Sequence, residues 1–253
     1  MRVLSYFIAA AAGAAIAAAV LLHLPFGRGA GDLSAGQSAA VEALIARYLE
    51  THPEAVAKAI DQLQEREKSS SRDATRTAIR AKGDALFHDP ADQILGNADG
   101  DVTIVEFFDY RCPYCKHALP GLLETLKADG HIRLVLKEFP ILGANSVLAS
   151  RAAIASVKQG KYAAFHVALL NSTTTLDEGN IMAIAETVGL DTTRLAADMK
   201  DPAVEAVIKK TYELAQDLKI EGTPAFIIGD ELVPGAVDRK GLEQLVKEVR
   251  GKS

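Results

Sequence analysis

The sequence predicts an α/β core with an all-helical insertion, preceded by a separate helical segment. Three observations lead there. Val102-Thr103-Ile104-Val105-Glu106-Phe107-Phe108 is a β-branched and aromatic run of strand length, and a stretch with Leu119, Leu122, Leu123 and Leu126 at helical spacing follows it closely. Helix-like chain then crowds into about residues 146–219, before strand-like chain returns at Phe226-Ile227-Ile228. The expected order is helices, a strand pair, a helix, a strand, the helical insertion, two strands and a closing helix.

The chain opens with Arg2 and an apolar, alanine-rich run from Val3 to Phe26. A basic start before such a run reads as an export signal, which places the rest outside the cytoplasm, in the periplasm. The run also reaches the ~20 residues that span a bilayer. Residues 1–30 are therefore read either as a cleaved signal peptide or as an uncleaved inner-membrane anchor with Arg2 on the cytoplasmic side.

Residues 31–88 read as a helical N-terminal segment. Val41, Leu44, Ile45, Tyr48 and Leu49 form one apolar stripe. Thr51-His52-Pro53-Glu54 resembles a capping box opening a second helix, with Val56, Ile60 and Leu63 on one face. From Glu65 to Arg80 the chain is highly charged, with Ala74, Ala78 and Ile79 as a thin apolar seam. Such a segment buries little within its own chain. It is either a helical linker, solvated or packed on the core, or a surface for self-association through residues 34–87.

The strand at 102–108 leads through a short polar turn to Cys112-Pro113-Tyr114-Cys115, which holds the only two cysteines of 253 residues. A pair this close cannot staple distant segments, so its chemistry is local. Half of a zinc site is one alternative, but His117, His131 and His166 supply no second closely spaced ligand pair. An inert buried pair is another. Against both stands the strand-turn-helix order, which puts Cys112 at a helix N-terminus, where unpaired N–H groups and the macrodipole favour negative charge. Pro113 suits the first helical turn, where its missing N–H costs nothing. Such surroundings lower a thiol pKa, and the thiolate is the reacting species in disulfide exchange. Cys112 is the candidate nucleophile and Cys115, one turn on, the candidate resolving thiol.

The segment from Val105 to Lys116 resembles the active-site segment of DsbA-family thiol-disulfide oxidoreductases, members of the thioredoxin superfamily. Gly222-Thr223-Pro224-Ala225-Phe226-Ile227-Ile228 resembles the family's cis-proline loop. The resemblance runs from about Asp89 to Arg250. It implies a thioredoxin fold with a helical insertion over residues 89–253, and a protein thiol-disulfide oxidoreductase that needs no cofactor and no metal. Thr223 and Pro224 would then face the cysteines and hold the substrate backbone, with Pro113 and Tyr114 beside them. Glu106 matches the acidic residue that the family buries under the active site, where it would pass protons to or from Cys115, with Lys137 as its basic partner.

The Pro113-Tyr114 dipeptide departs from the Pro-His of the most oxidising members, which leans the expectation to isomerase or reductase; a monomeric dithiol oxidase is the alternative. In composition, residues 34–87 resemble the oligomerisation segment of the ScsC-like branch, periplasmic proteins linked to copper tolerance, some of which are oligomeric disulfide isomerases. The implied partners are unfolded or misoxidised client proteins, a membrane-bound redox partner and further copies of the chain. A reading from another class is a copper-binding or chaperone module, in which Cys112 and Cys115 hold Cu(I).

Leu134-Val135-Leu136 continues the core as a strand. The insertion reads as helices over Val147–Val157, Tyr162–Leu170, Asn180–Val188, Thr192–Met199 and Ala203–Leu218, punctuated by Gly160, Gly189 and Pro202. Glu231–Ala236 reads as the last strand, and Asp238 as the cap of a closing helix through Val249. A net charge of −5 without a basic aromatic patch argues against nucleic-acid binding.

Overall fold

The computed structural model describes residues 34–251, so the expected signal or anchor over residues 1–30 lies outside the described residues. Among the described residues no helix is long and apolar enough to cross a membrane. The chain divides into two compact units between Gln64 and Glu65, upstream of the residue 88 boundary expected from the sequence.

The first unit holds helix α1 (Ala35–Thr51) and the start of helix α2 (Pro53–Ala81). The capping box lies at its beginning rather than at Thr51: Ser34 Oγ accepts from the Gln37 N–H, and Gln37 Oε1 accepts from the Ser34 N–H. The Thr51 hydroxyl donates backwards to the carbonyls of Arg47 and Tyr48, so it closes α1 instead of opening α2. The reason is local, since the last turn of a helix leaves carbonyls unbonded. The predicted apolar stripe is exposed, with Leu44 at 66% and Leu63 at 57%, and α1 buries no residue.

The second unit carries a five-stranded sheet of β1 (Gln93–Gly96), β2 (Val102–Phe108), β3 (Ile132–Glu138), β4 (Ala225–Ile228) and β5 (Glu231–Pro234), in the order β1-β3-β2-β4-β5. Only β2 and β3 run parallel. The strand pair expected before the cysteine helix is not a pair: β1 and β2 both bond to β3, on its two edges. The crossover through helix α4 (Pro113–Asp129) lays β3 beside β2 and leaves its outer edge for β1.

Side chains alternate across this sheet. Ile104, Phe108, Leu134, Leu136, Phe226 and Ile228 pack in one cluster with Cys112, Cys115, Leu119 and Leu122 of α4 and with the insertion. Val105, Phe107, Val135, Ala225 and Ile227 pack in a second with Ile79 of α2 and Leu86 of helix α3 (Gly83–Phe87). Arg76 and Arg80 add ion pairs to Glu231 and Asp230 beside the β4–β5 turn. Residues 65–87 are thus part of the redox core's own unit.

The insertion consists of α5 (Ala144–Ser156), α6 (Tyr162–Asn171), α7 (Glu178–Thr187), α8 (Thr192–Asp198) and α9 (Pro202–Asp217), close to the predicted spans. Asp177, Asp191 and Asp201 cap the last three of these by accepting from backbone N–H groups. Small buried residues on α5, among them Ala149, Ala152 and Ala153, bring it close to its neighbours. Asp238 caps the closing helix α10 (Arg239–Arg250) through the Gly241 N–H at 2.8 Å.

Candidate active site

Strand β2 ends at Phe108 and the turn Asp109-Tyr110-Arg111 delivers Cys112 as the N-cap of α4, with Pro113 in its first turn. Both cysteines are free and buried, and the Cys112 Sγ donates to the Thr223 carbonyl at 3.1 Å. The Thr223–Pro224 peptide is cis. Pro113 and Tyr114 point outward, Tyr114 at 67% exposure. A cavity of about 290 Å³ is lined by Thr223 and Pro224 together with Leu232 and Pro234.

The two thiols are unlike. Cys112 is brought down to about 5, chiefly by the hydrogen bond from the Cys115 thiol, with further bonds from the Thr223 side chain and the N–H groups of Cys115 and Tyr114 outweighing burial. The same Cys112–Cys115 bond, with burial, pushes Cys115 far above the ordinary thiol range. Glu106 is buried beneath them with Oε2 unpartnered, and burial next to Cys112 pushes its carboxyl up to about 8. The site can therefore present one thiolate, one thiol that holds its proton, and a carboxyl group able to exchange a proton near neutrality.

Six of the predicted residues thus gather around one point with Glu106: Cys112, Cys115, Pro113, Tyr114, Thr223 and Pro224. Lys137 does not, and its expected pairing with Glu106 is corrected by the register. Glu106 stands opposite Leu136, and Phe107 opposite Lys137, so Glu106 and Lys137 project from opposite faces of the sheet. Lys137 Nζ donates instead to the Ala85 carbonyl at 2.6 Å and to the Asp92 carboxylate, with both side chains buried. Burial outweighs the pull of Lys137 and holds Asp92 up at about 6.

Sequence reasoning missed a buried polar knot next to the site. The hydroxyls of Tyr110 and Tyr162 both donate to Glu138 Oε1, at 3.0 and 2.7 Å, and Tyr110 shares a hydrogen bond with His166 Nδ1 at 3.1 Å. Burial raises Glu138 to about 8 and lowers His166 to about 3, so the knot is held in its neutral forms. The alternation Leu134, Leu136, Glu138 was the available signal, since it places Glu138 on the core face. His166, weighed as a metal ligand, belongs to this knot. Among the described residues no group of three or more His, Cys, Asp or Glu side chains is placed to hold a metal ion.

Comparison with known proteins agrees with this geometry. The DSBA-like thioredoxin domain model matches residues 103–247. A thioredoxin-like oxidoreductase from Silicibacter pomeroyi is 47% identical, with a TM-score of 0.66, over 67% of this chain and 98% of that one. A linker-deletion mutant of Proteus mirabilis ScsC is 30% identical, with a TM-score of 0.68, over 89% of this chain and all of that one (100%). A probable disulfide bond formation protein D from Bacillus cereus is 26% identical over 66% of this chain and 84% of its own length. The chain also matches part of a Salinispora tropica Na(+)/H(+) antiporter, of which it spans 24%. The fold, the placing of the two cysteines and the family match agree: the chain belongs to the DSBA-like thioredoxin domain family.

Proposed function

We propose that the protein is an exported, periplasmic thiol-disulfide oxidoreductase that exchanges disulfides with client proteins through Cys112 and Cys115. The observation that carries this reading is the asymmetry of the two thiols beneath the Thr223 carbonyl. The Cys112 thiolate attacks one sulfur of a client disulfide, forms a mixed disulfide and expels the other client sulfur as a thiolate. That thiolate can attack a second client disulfide, which rearranges bonds with no net electron transfer. Alternatively Cys115 gives its proton to Glu106 in its ionised form, which its value of about 8 keeps accessible near neutrality, and attacks the Cys112 Sγ. The client then leaves as a dithiol, and the protein keeps the Cys112–Cys115 disulfide and has lost two electrons. The reverse sequence oxidises a client.

The direction proposed is isomerase or reductase, with a membrane-bound redox partner returning Cys112 to the thiolate. Tyr114 in place of histidine supports it, and so does the exposed apolar stripe on residues 34–63, which suits association between copies of the chain. The match to the ScsC variant covers 89% of this chain, more than the 89–253 domain alone would account for. The test is refolding of a scrambled disulfide protein beside oxidation of a reduced one, with the solution mass of the purified protein measured in parallel. A monomer active only in oxidation overturns the direction. Stoichiometric Cu(I) uptake with no turnover of either substrate overturns the enzymatic reading.

A further inference from the structure

Asp109 lies in the turn between β2 and Cys112 and is fully buried. Its Oδ1 accepts from the Arg111 N–H at 2.7 Å and from the Ser146 hydroxyl at 2.8 Å, and its Oδ2 accepts from the Leu142 N–H at 2.9 Å. Its carbonyl accepts from the Cys112 N–H at 3.0 Å, and its peptide group hydrogen-bonds Cys115. The Arg111 guanidinium closes the same junction from outside by donating to the Leu142 carbonyl.

These partners come from three places. Arg111, Cys112 and Cys115 belong to the redox turn and its helix, Leu142 to the loop after β3, and Ser146 to the first turn of α5, where the insertion begins. A buried carboxylate is costly unless its lone pairs are filled, and here three protein donors fill them. The donors that hold Cys112 as a thiolate must converge on one sulfur, and hydrogen bonds weaken steeply with angle. Whatever fixes this turn therefore also fixes the reactivity of Cys112.

We propose that Asp109 is the positioning residue of the redox pair: its carboxylate and peptide group together lock the Cys112 turn and the Cys115 sulfur against the start of the helical insertion. The proposal rests on Cys112 being the nucleophile. Asp109 touches no reacting bond and acts through the geometry of the two sulfurs.

Charge and position predict opposite signs, which makes the idea testable. Neutralising a carboxylate near a thiol favours the thiolate, so Asp109→Asn acting by charge alone would lower the Cys112 titration midpoint. Acting by position it raises the midpoint, because the amide that replaces one oxygen cannot accept from both the turn and Leu142. Glu106 from β2 and the two thiols themselves are the titratable groups acting on the pair, and the variant leaves them in place.

The experiment follows the ultraviolet thiolate absorbance of the reduced full-length protein against pH for wild type, Asp109→Asn and Ser146→Ala, with thermal unfolding recorded on the same samples. Exchange with a peptide disulfide is a separate arm. Asp109→Asn is expected to raise the midpoint by about one pH unit and to slow alkylation of Cys112 at acidic pH about ten-fold. Ser146→Ala is expected to move both in the same direction by less. A folded Asp109→Asn protein with an unchanged or lowered midpoint overturns the proposal, even if it melts earlier. Should Asp109→Asn not fold, Ser146→Ala decides, a raised midpoint supporting the proposal and an unchanged one overturning it. A wild type with a low midpoint but no exchange would sink the enzymatic reading alone, because the titration needs no client.

Discussion

Glu106 and Lys137 lie one register step apart on neighbouring parallel strands, and both are buried, yet the two faces of the sheet treat their charges in opposite ways. On the face away from the cysteines, Lys137 is closed off by Asp92 and the Ala85 carbonyl. On the cysteine face, Glu106 has no countercharge, keeps Oε2 unpartnered and is held near neutrality by a proton. A buried ion pair is fixed, since removing either member strands the other. A lone buried carboxyl can gain or lose a proton. The contrast separates a charge locked in an ion pair from a carboxyl free to change its protonation more sharply than burial does.

The comparison can be broken in several ways. The largest effect expected is on exchange itself: Cys112→Ser abolishes it, while Cys115→Ser still attacks but accumulates the mixed disulfide, as mass spectrometry of the trapped species would reveal. Next, Lys137→Met leaves Asp92 buried without a partner and should cost about 3–5 kcal/mol in urea unfolding. The Cys112 titration midpoint should not move in that variant, and a shift there would mean that the two faces are coupled. Glu106→Gln should slow the Cys115 step about a hundred-fold in rapid-quench kinetics with no loss of stability at neutral pH. Equal rates would remove Glu106 from the mechanism.

A pH series sharpens the same contrast. The folded value of Glu106 is raised from 4.5 to about 8, so its contribution to stability is fully present below about pH 4.5 and is lost as pH rises through about 8. Cys112 runs the other way, because its folded value is lowered from 9.0 to about 5, so its contribution is present above about pH 9 and lost as pH falls through about 5. Only the reduced protein has that thiolate. The stability of the reduced form relative to the oxidised form should therefore increase as pH climbs from about 5 to 9, and unfolding curves of both forms would reveal a flat difference if the assignment is wrong. The smallest effect on chemistry is expected from Leu44→Glu. It should leave unfolding of the redox unit within about 0.5 kcal/mol while reducing the solution mass, and an unchanged mass would count against association through α1.

Much of this was legible in the sequence because the elements keep strict periods. The leucines of α4, the β-branched run of β2 and the capping aspartates each state a local preference that packing did not override. The cysteine pair and Thr223–Pro224 were legible as motifs, although 111 positions separate Cys112 from Thr223 and only the fold brings them together. The partner of Lys137 was not legible. Which face a side chain takes depends on strand register, and a shift of one residue turns Lys137 from Glu106 to Asp92. Asp109 was hidden for another reason: an aspartate in a turn is ordinary, and nothing in the sequence indicates that its carboxylate reaches Leu142 and Ser146. Thr51 failed as a cap because the pattern fits a helix end as well as a helix start.

The hydrogen bond from the Cys112 Sγ to the Thr223 carbonyl has a consequence for timing. A thiolate has no hydrogen to donate, so the moment Cys112 becomes reactive is also the moment that carbonyl loses its internal donor. The carbonyl then stands beside the ionised sulfur without that donor. Ionisation of the sulfur and release of the carbonyl are in this way two sides of one proton's departure, and with Cys112 lowered to about 5 both have taken place by neutral pH.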